Sequence, residues 1–129
     1  MRVLLDTQVF LWLQTDPARL GEISDTLAEK RSELFVAAAS AWEIAIKYGL
    51  GRLPLPEPPI RYVTSRISAI GASPLPIELA DASAVADLPP HHSDPFDRLL
   101  VAQAHRRELT LVTADASILR YDLRLLRVS

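Results

Sequence analysis

DPFDRLLVAQAHRRELTLVTAD, residues 94–115, is the stretch whose reading decides the fold. Asp94 stands where a helix N-cap belongs, Pro95 at the first helical position and Asp97 at the third, all favourable helix-start chemistry. Leu99, Leu100, Ala102 and Gln103 carry the helix on to Arg107. Leu109 to Thr113 then reads as a buried strand, with Asp115 just beyond its end. A helix feeding directly into a buried strand that ends at an acid is one step of an alternating α/β chain.

The chain on either side repeats that alternation. Val3-Leu4-Leu5 is a short buried strand ending in Asp6-Thr7, which turns into a helix from Val9 to Leu13, broken by Asp16-Pro17. Ser24 is placed to cap a helix running through Glu33. Leu34–Ala37 reads as a second strand. Ser40 starts a helix through Trp42, Ile44, Ala45 and Ile46, with Gly49 expected to stop it in the C′ position. The proline-rich Leu53–Pro59 is too short for a domain linker and leads into a helix from Ile60 to Ile70. Two prolines between Ala72 and Ile77 confine any strand there to a short edge. Glu78–Asp87 is helical and Leu88–His92 a loop. A short helix over Ala116–Tyr121 and a last alternating strand, Leu123–Val128, complete the pattern. The expectation is one α/β domain over residues 1–129, its mostly parallel sheet flanked by helices.

Composition agrees. The chain has 129 residues, 49% of them hydrophobic and 23% charged, which suits a globular domain able to bury a core without crosslinks. It contains no cysteine, which excludes disulfides and thiolate metal sites. No apolar run is long enough to span a bilayer and MRVLLDTQ lacks a signal-peptide pattern, so a cytoplasmic protein is expected. The net charge of −2 gives no general pull on nucleic acid. From Arg98 to the end, however, Arg98, Arg106, Arg107, Arg120, Arg124 and Arg127 stand against only Glu108, Asp115 and Asp122, and Arg98 is the candidate to hold a phosphate.

Four acids fall beside the carboxyl edge of the sheet, where open parallel sheets bind ligands. Asp6 and Asp115 follow strands, while Glu43 and Asp97 lie in first turns of helices. Each has a plain structural reading: Asp6 and Asp115 as turn or cap residues, Asp97 as helix-start chemistry, Glu43 as half of a Ser40–Glu43 capping box. Gathered together, however, carboxylates cost free energy unless a cation compensates them. An all-oxygen donor set favours magnesium or manganese, and such a cation can lower the pKa of bound water and steady a phosphoryl oxygen. His91 and His92, adjacent in a loop, are read as solvated, and His105 as a surface residue. Phe10, Trp12, Trp42 and Phe96 are read as core or partner-contact residues.

Taken in order, Val3–Thr7, Ala39–Lys47 with Gly51-Arg52-Leu53, the run His92–Ala104 and Thr113-Ala114-Asp115 resemble PIN-domain toxins of the VapC type over nearly the whole chain. The resemblance implies a five-stranded parallel sheet, magnesium- or manganese-dependent cleavage of RNA, a homodimer and a VapB-like antitoxin. It places Asp6, Glu43, Asp97 and Asp115 as the catalytic, metal-holding acids. Asp94, Thr7 and Thr113 join Arg98 as outer or substrate-side candidates. Gln8 stands where relatives often have histidine, a departure that touches substrate details and leaves the four acids intact. Other acidic-pocket classes fit less well. A dehalogenase-like phosphatase wants an aspartate where Gln8 sits. A receiver domain wants a lysine after a late strand, yet the lysines are Lys30 and Lys47. A non-catalytic binding module, its acids serving as caps, is the remaining alternative.

Overall fold

The computed structural model describes residues 1–29 and 31–128. Five strands form a single sheet in the order β3-β2-β1-β4-β5, and every neighbouring pair is parallel. The strands are β1 (Arg2–Leu5), β2 (Glu33–Ala37), β3 (Ser73–Leu75), β4 (Thr110–Thr113) and β5 (Leu125–Arg127). The helices are α1 (Thr7–Thr15), α2 (Ile23–Ala28), α3 (Ala38–Gly49), α4 (Pro59–Ala69), α5 (Leu79–Ala84) and α6 (Pro95–Arg106), with 3₁₀ turns at Pro17–Leu20, Val85–Asp87 and Ile118–Arg120.

The two-residue period of a strand sorts the core into two layers, one on each face of the sheet. Val3 and Leu5 of β1, with Val36 and Val112, pack against Val9 and Phe10 of α1, Ile44 of α3 and Tyr62 and Val63 of α4. Leu4 and Leu111 point the other way, onto Leu100, Val101 and Ala104 of α6 and onto Ile118. Leu4, Leu5, Phe10, Leu100 and Leu111 are all fully buried, so both layers are closed to water.

Three local expectations need correction. Ser24 does not cap a helix: α2 runs only from Ile23 to Ala28, and Ser24 Oγ instead donates to the Gly21 carbonyl at 2.9 Å. The helix containing Glu43 begins at Ala38, with Ala37 as N-cap and no side-chain cap. Ser40 is thus the third helical residue, and the expected Ser40–Glu43 capping box does not form. The end of α3 is also displaced. Gly49 is its last residue, and the left-handed position falls on Gly51 (φ 70°), from which the Arg52 N–H reaches back to the Lys47 carbonyl at 2.9 Å. The two prolines near Ser73 give the short edge strand that was expected. No helix among the described residues is long and apolar enough to cross a membrane.

This topology positions the site. From β1 the sheet grows through β2 and β3 on one side and through β4 and β5 on the other. The crevice between β1 and β4 is therefore a point where strand order reverses, the usual ligand position in open α/β sheets.

Candidate metal centre

A cleft of about 600 Å³ opens at the carboxyl edge of β1 and β4. Asp6, Glu43, Asp97 and Asp115 all line it, with Asp94, His92, Thr7, Gln8, Lys47 and Arg52. The four acids come from four separate segments of the chain, and the fold brings them into one space.

Asp6 ends β1 and caps α1. Its Oδ1 accepts the Val9 N–H at 2.8 Å, and its Oδ2 accepts the hydroxyl of Thr113 at 2.5 Å. Thr113 Oγ1 also accepts the Asp115 N–H at 3.0 Å, so one hydroxyl ties the ends of β1 and β4 together. Burial drives the Asp6 pKa upward. The bonds from Thr113 and Val9 oppose it, and the charges of Asp115 and Glu43 add to it. Thr7, also buried, donates to Ser40 Oγ at 2.8 Å and so joins α1 to α3 behind the acids.

Glu43 is 8% exposed. Its Oε2 accepts Lys47 Nζ at 2.8 Å, while Oε1 is buried without a hydrogen-bond partner. A buried carboxylate oxygen with no donor is costly, and here it belongs to a group that lines the cleft. Asp94 is the N-cap of α6, as its sequence position implied; its Oδ1 accepts the N–H groups of Phe96 (2.8 Å) and Asp97 (3.2 Å). That leaves Asp97, one turn into the helix, turned to the cleft. Burial pushes the Asp97 pKa up to about 7, with further upward pressure from the charges of Asp94, Glu43 and Asp6. Asp115 Oδ1 accepts the Ser117 N–H at 2.8 Å and the Ile118 N–H at 3.3 Å, at the entry to the 3₁₀ turn. Burial alone would raise its pKa, but hydrogen bonds from His92 and from the Ser117 and Ile118 N–H groups outweigh this and hold it low.

His92 is a member of this cluster that the sequence reading missed. Its side chain is 14% exposed, against the expectation of a solvated loop, and Nε2 lies 3.0 Å from Asp115 Oδ2 and 3.2 Å from Asp97 Oδ2. Burial opposes a charge on the ring, yet the hydrogen bond to Asp115 and the charges of Asp115, Asp97 and Asp94 raise its pKa overall. The available signal was positional: a residue two before the N-cap of α6 sits at the same end of the sheet as Asp97. His91 instead packs edge-on against Tyr121, with ring centroids 4.9 Å apart.

Arg98 does not face the cleft as a free cation. Its guanidinium donates to the carbonyls of Val85, Leu88, Pro89 and His92 and to the Tyr121 hydroxyl, at 3.0–3.4 Å. It holds the loop before α6 in place, and these bonds consume the donors a phosphate would need. The cations that do line the cleft are Lys47 and Arg52, neither of which the sequence reading selected.

The aromatic expectation also divides. Phe10 is fully buried core, while Trp12 is half-buried beneath the Arg19 guanidinium, 4.5 Å from the ring centroid. Trp42 is 58% exposed and meets Phe96 edge-on.

The donor set suits a hard divalent cation: several carboxylates from converging segments, one buried oxygen without a partner, and an Asp97 that burial and like charges keep from ionising freely.

Comparison with known proteins agrees with the fold that carries this site. The chain matches the PIN domain family over residues 3–123. It is 33% identical over 116 residues to ribonuclease VapC22 of Mycobacterium tuberculosis, the match covering 88% of this chain and 86% of that protein. Ribonuclease VapC16 of the same organism is 44% identical over 61 residues, covering 47% of this chain but only 43% of the relative. Among solved structures, VapBC2 from Rickettsia felis bound to a promoter DNA fragment aligns over 100% of both chains, with a TM-score of 0.76 at 17% identity. DNA-bound VapBC from Salmonella typhimurium aligns over 100% of this chain and 99% of that one, with a TM-score of 0.73 at 17% identity. At those identities the structures speak for the fold, while the sequence matches speak for descent. The chain belongs to the PIN domain family.

Proposed function

We propose that this chain is an endoribonuclease of the VapC type, the cytoplasmic toxin of a toxin–antitoxin pair, hydrolysing RNA phosphodiester bonds with magnesium or manganese held by Asp6, Glu43, Asp97 and Asp115. The observation that carries this reading is the meeting of those four carboxylates in one cleft, with a Glu43 oxygen buried and unpartnered. A divalent cation there supplies charge compensation for the acids and Lewis acidity toward water and a phosphoryl oxygen. The remaining residues have roles of their own. Thr113 holds the Asp6 carboxylate, and Thr7 joins α1 to α3 through Ser40. Lys47 and Arg52 line the same cleft and offer positive charge to the RNA backbone. The relatives named as VapC ribonucleases support ribonuclease chemistry, the VapBC structures support a VapB-like partner, and a homodimeric toxin is what the family resemblance implies. Exposed apolar side chains on α3 and α4, chiefly Trp42, Ile46 and Ile60, are surface of the kind a protein partner covers.

The test is cleavage of single-stranded RNA by the purified chain. Activity should require magnesium or manganese, stop in chelator, and fall to background in Asp6→Asn and Asp97→Asn, since the amide keeps the shape but binds a hard cation weakly. Full activity in chelator, or in either variant, rejects the reading. A binding module would instead bind RNA or a partner without cutting, whatever the cation.

A further inference from the structure

The four-acid reading leaves His92 without a role, although its ring lies among the acids. One donor atom from each of His92, Asp97 and Asp115 falls within 4.8 Å of the others. Two roles fit that spacing: a nitrogen ligand to the cation, or an N–H donor that holds the two carboxylates. The other ring nitrogen separates them. Nδ1 accepts the backbone N–H of Asp94 at 3.0 Å, so it presents a lone pair and the hydrogen of the neutral ring resides on Nε2. A ligating histidine has the reverse arrangement, with its second nitrogen donating to an acceptor. The Asp94 N–H cannot become an acceptor, and it is fixed by the start of α6.

We propose that His92 is a positioning residue of the cation site: its Nε2–H holds the carboxylates of Asp97 and Asp115 in one shared orientation, and it is not itself a ligand. This rests on the metal-dependent reading above. Asp97 stands on the first turn of α6 and Asp115 on the loop after β4, so their side chains belong to different elements. The imidazole is what links them directly, with contacts of 3.2 and 3.0 Å to their Oδ2 atoms. Each of those oxygens keeps a further lone pair for a cation. Removing an orienting donor of this kind typically weakens metal binding about 10- to 100-fold.

Manganese binding to the whole chain, followed by electron paramagnetic resonance, tests this without reference to cleavage. The wild type should bind manganese and show no hyperfine coupling from a directly coordinated imidazole nitrogen. His92→Gln, whose amide nitrogen can stand near the position of Nε2, should bind with close to wild-type affinity. His92→Leu should lose about 10- to 100-fold in affinity while melting as a folded protein. A directly coordinated nitrogen in the wild type overturns the proposal, as does tight binding by His92→Leu or an equal loss in His92→Gln. Should the leucine variant not fold, the wild-type spectrum and the glutamine variant decide. Failure of the wild type to bind manganese at all overturns both this proposal and the metal-dependent reading, whereas the other adverse outcomes overturn the role of His92 alone.

Discussion

A capping box needs its serine outside the helix, and α3 has already begun two residues before Ser40. That shift changes what Glu43 is for. Were Ser40 the N-cap, the Glu43 carboxylate would be satisfied by the Ser40 N–H; instead Oε1 is buried without a partner and Oε2 is held by Lys47. The sequence could not distinguish these cases, because Ser40-Ala41-Trp42-Glu43 looks the same whether the helix starts at residue 38 or 41. Asp97 was more legible, since the cap that places it, Asp94-Pro95, is contiguous with it. His92 was less so, because its partners Asp97 and Asp115 are defined by tertiary packing. Glu43→Gln separates the readings of Glu43. It keeps the side-chain shape and an acceptor for Lys47, whose end of the ion pair is half exposed and screened by solvent, so stability should change by only about 0.5 kcal/mol. Manganese-dependent RNA cleavage should nevertheless fall by on the order of 100-fold. Thermal melting and cleavage rates measured together check this. Cleavage at the wild-type rate would remove Glu43 from the site and leave the three aspartates.

Between elements, an ionic clamp joins α5 to α6 on the side away from the cleft. Asp81 is fully buried and accepts from Arg106, from Arg107 at 2.8 Å, from Gln103 at 3.1 Å and from the Glu78 N–H at 2.9 Å. Burial alone would raise its pKa; these donors outweigh burial and carry it well below the usual carboxylate range. None of this was legible in the sequence. Glu78–Asp87 was read correctly as helical, yet the side-chain partners of Asp81 lie more than twenty residues further along, and Arg106 and Arg107 were read only as part of a basic stretch. Because the folded pKa is depressed, the clamp contributes fully above the unfolded aspartate pKa near 4 and fades as the pH falls toward the folded value. Asp81→Asn should therefore cost about 3 kcal/mol at neutral pH, with Arg106 and Arg107 left partly uncompensated. The gap from wild type should narrow as the pH falls below about 4. Urea unfolding across that range measures it. A variant as stable as wild type at pH 7 would show that the clamp adds nothing, and cleavage per folded molecule should remain at the wild-type level because Asp81 lies outside the cleft.

Over the whole molecule, parallel strands turn four sequence-distant acids into one site, and that was the most legible feature of the chain. Every strand presents its carboxyl end to the same edge, so an acid after β1, one after β4 and two in helices starting there must converge, whatever the errors in individual helix boundaries. What the sequence could not supply was the electrostatic state of the cluster. Burial and the surrounding carboxylates push Asp97 up to about 7, and Asp6 is raised as well, mainly by burial. A raised carboxylate pKa means that the metal-free fold binds a proton that the unfolded chain has lost, so from about pH 4 to 7 this group makes the fold less stable as the pH rises. A cation entering the site must displace that proton, and its affinity should fall about tenfold for each pH unit below 7 for Asp97 alone. At pH 7.5, manganese at 100 times its dissociation constant should stabilise the fold by about 2.7 kcal/mol and raise the melting temperature by roughly 10 °C. At pH 5 the same concentration should give an effect several-fold smaller, because about two decades of affinity are lost to proton competition. Asp97→Asn has neither a proton to displace nor a carboxylate to offer, so its manganese-induced shift should be weak at both pH values and carry no pH dependence from this position. Scanning calorimetry of the two proteins with and without manganese at each pH tests the whole chain of reasoning. A wild-type shift of equal size at pH 5 and 7.5 would show that Asp97 does not exchange its proton for the cation.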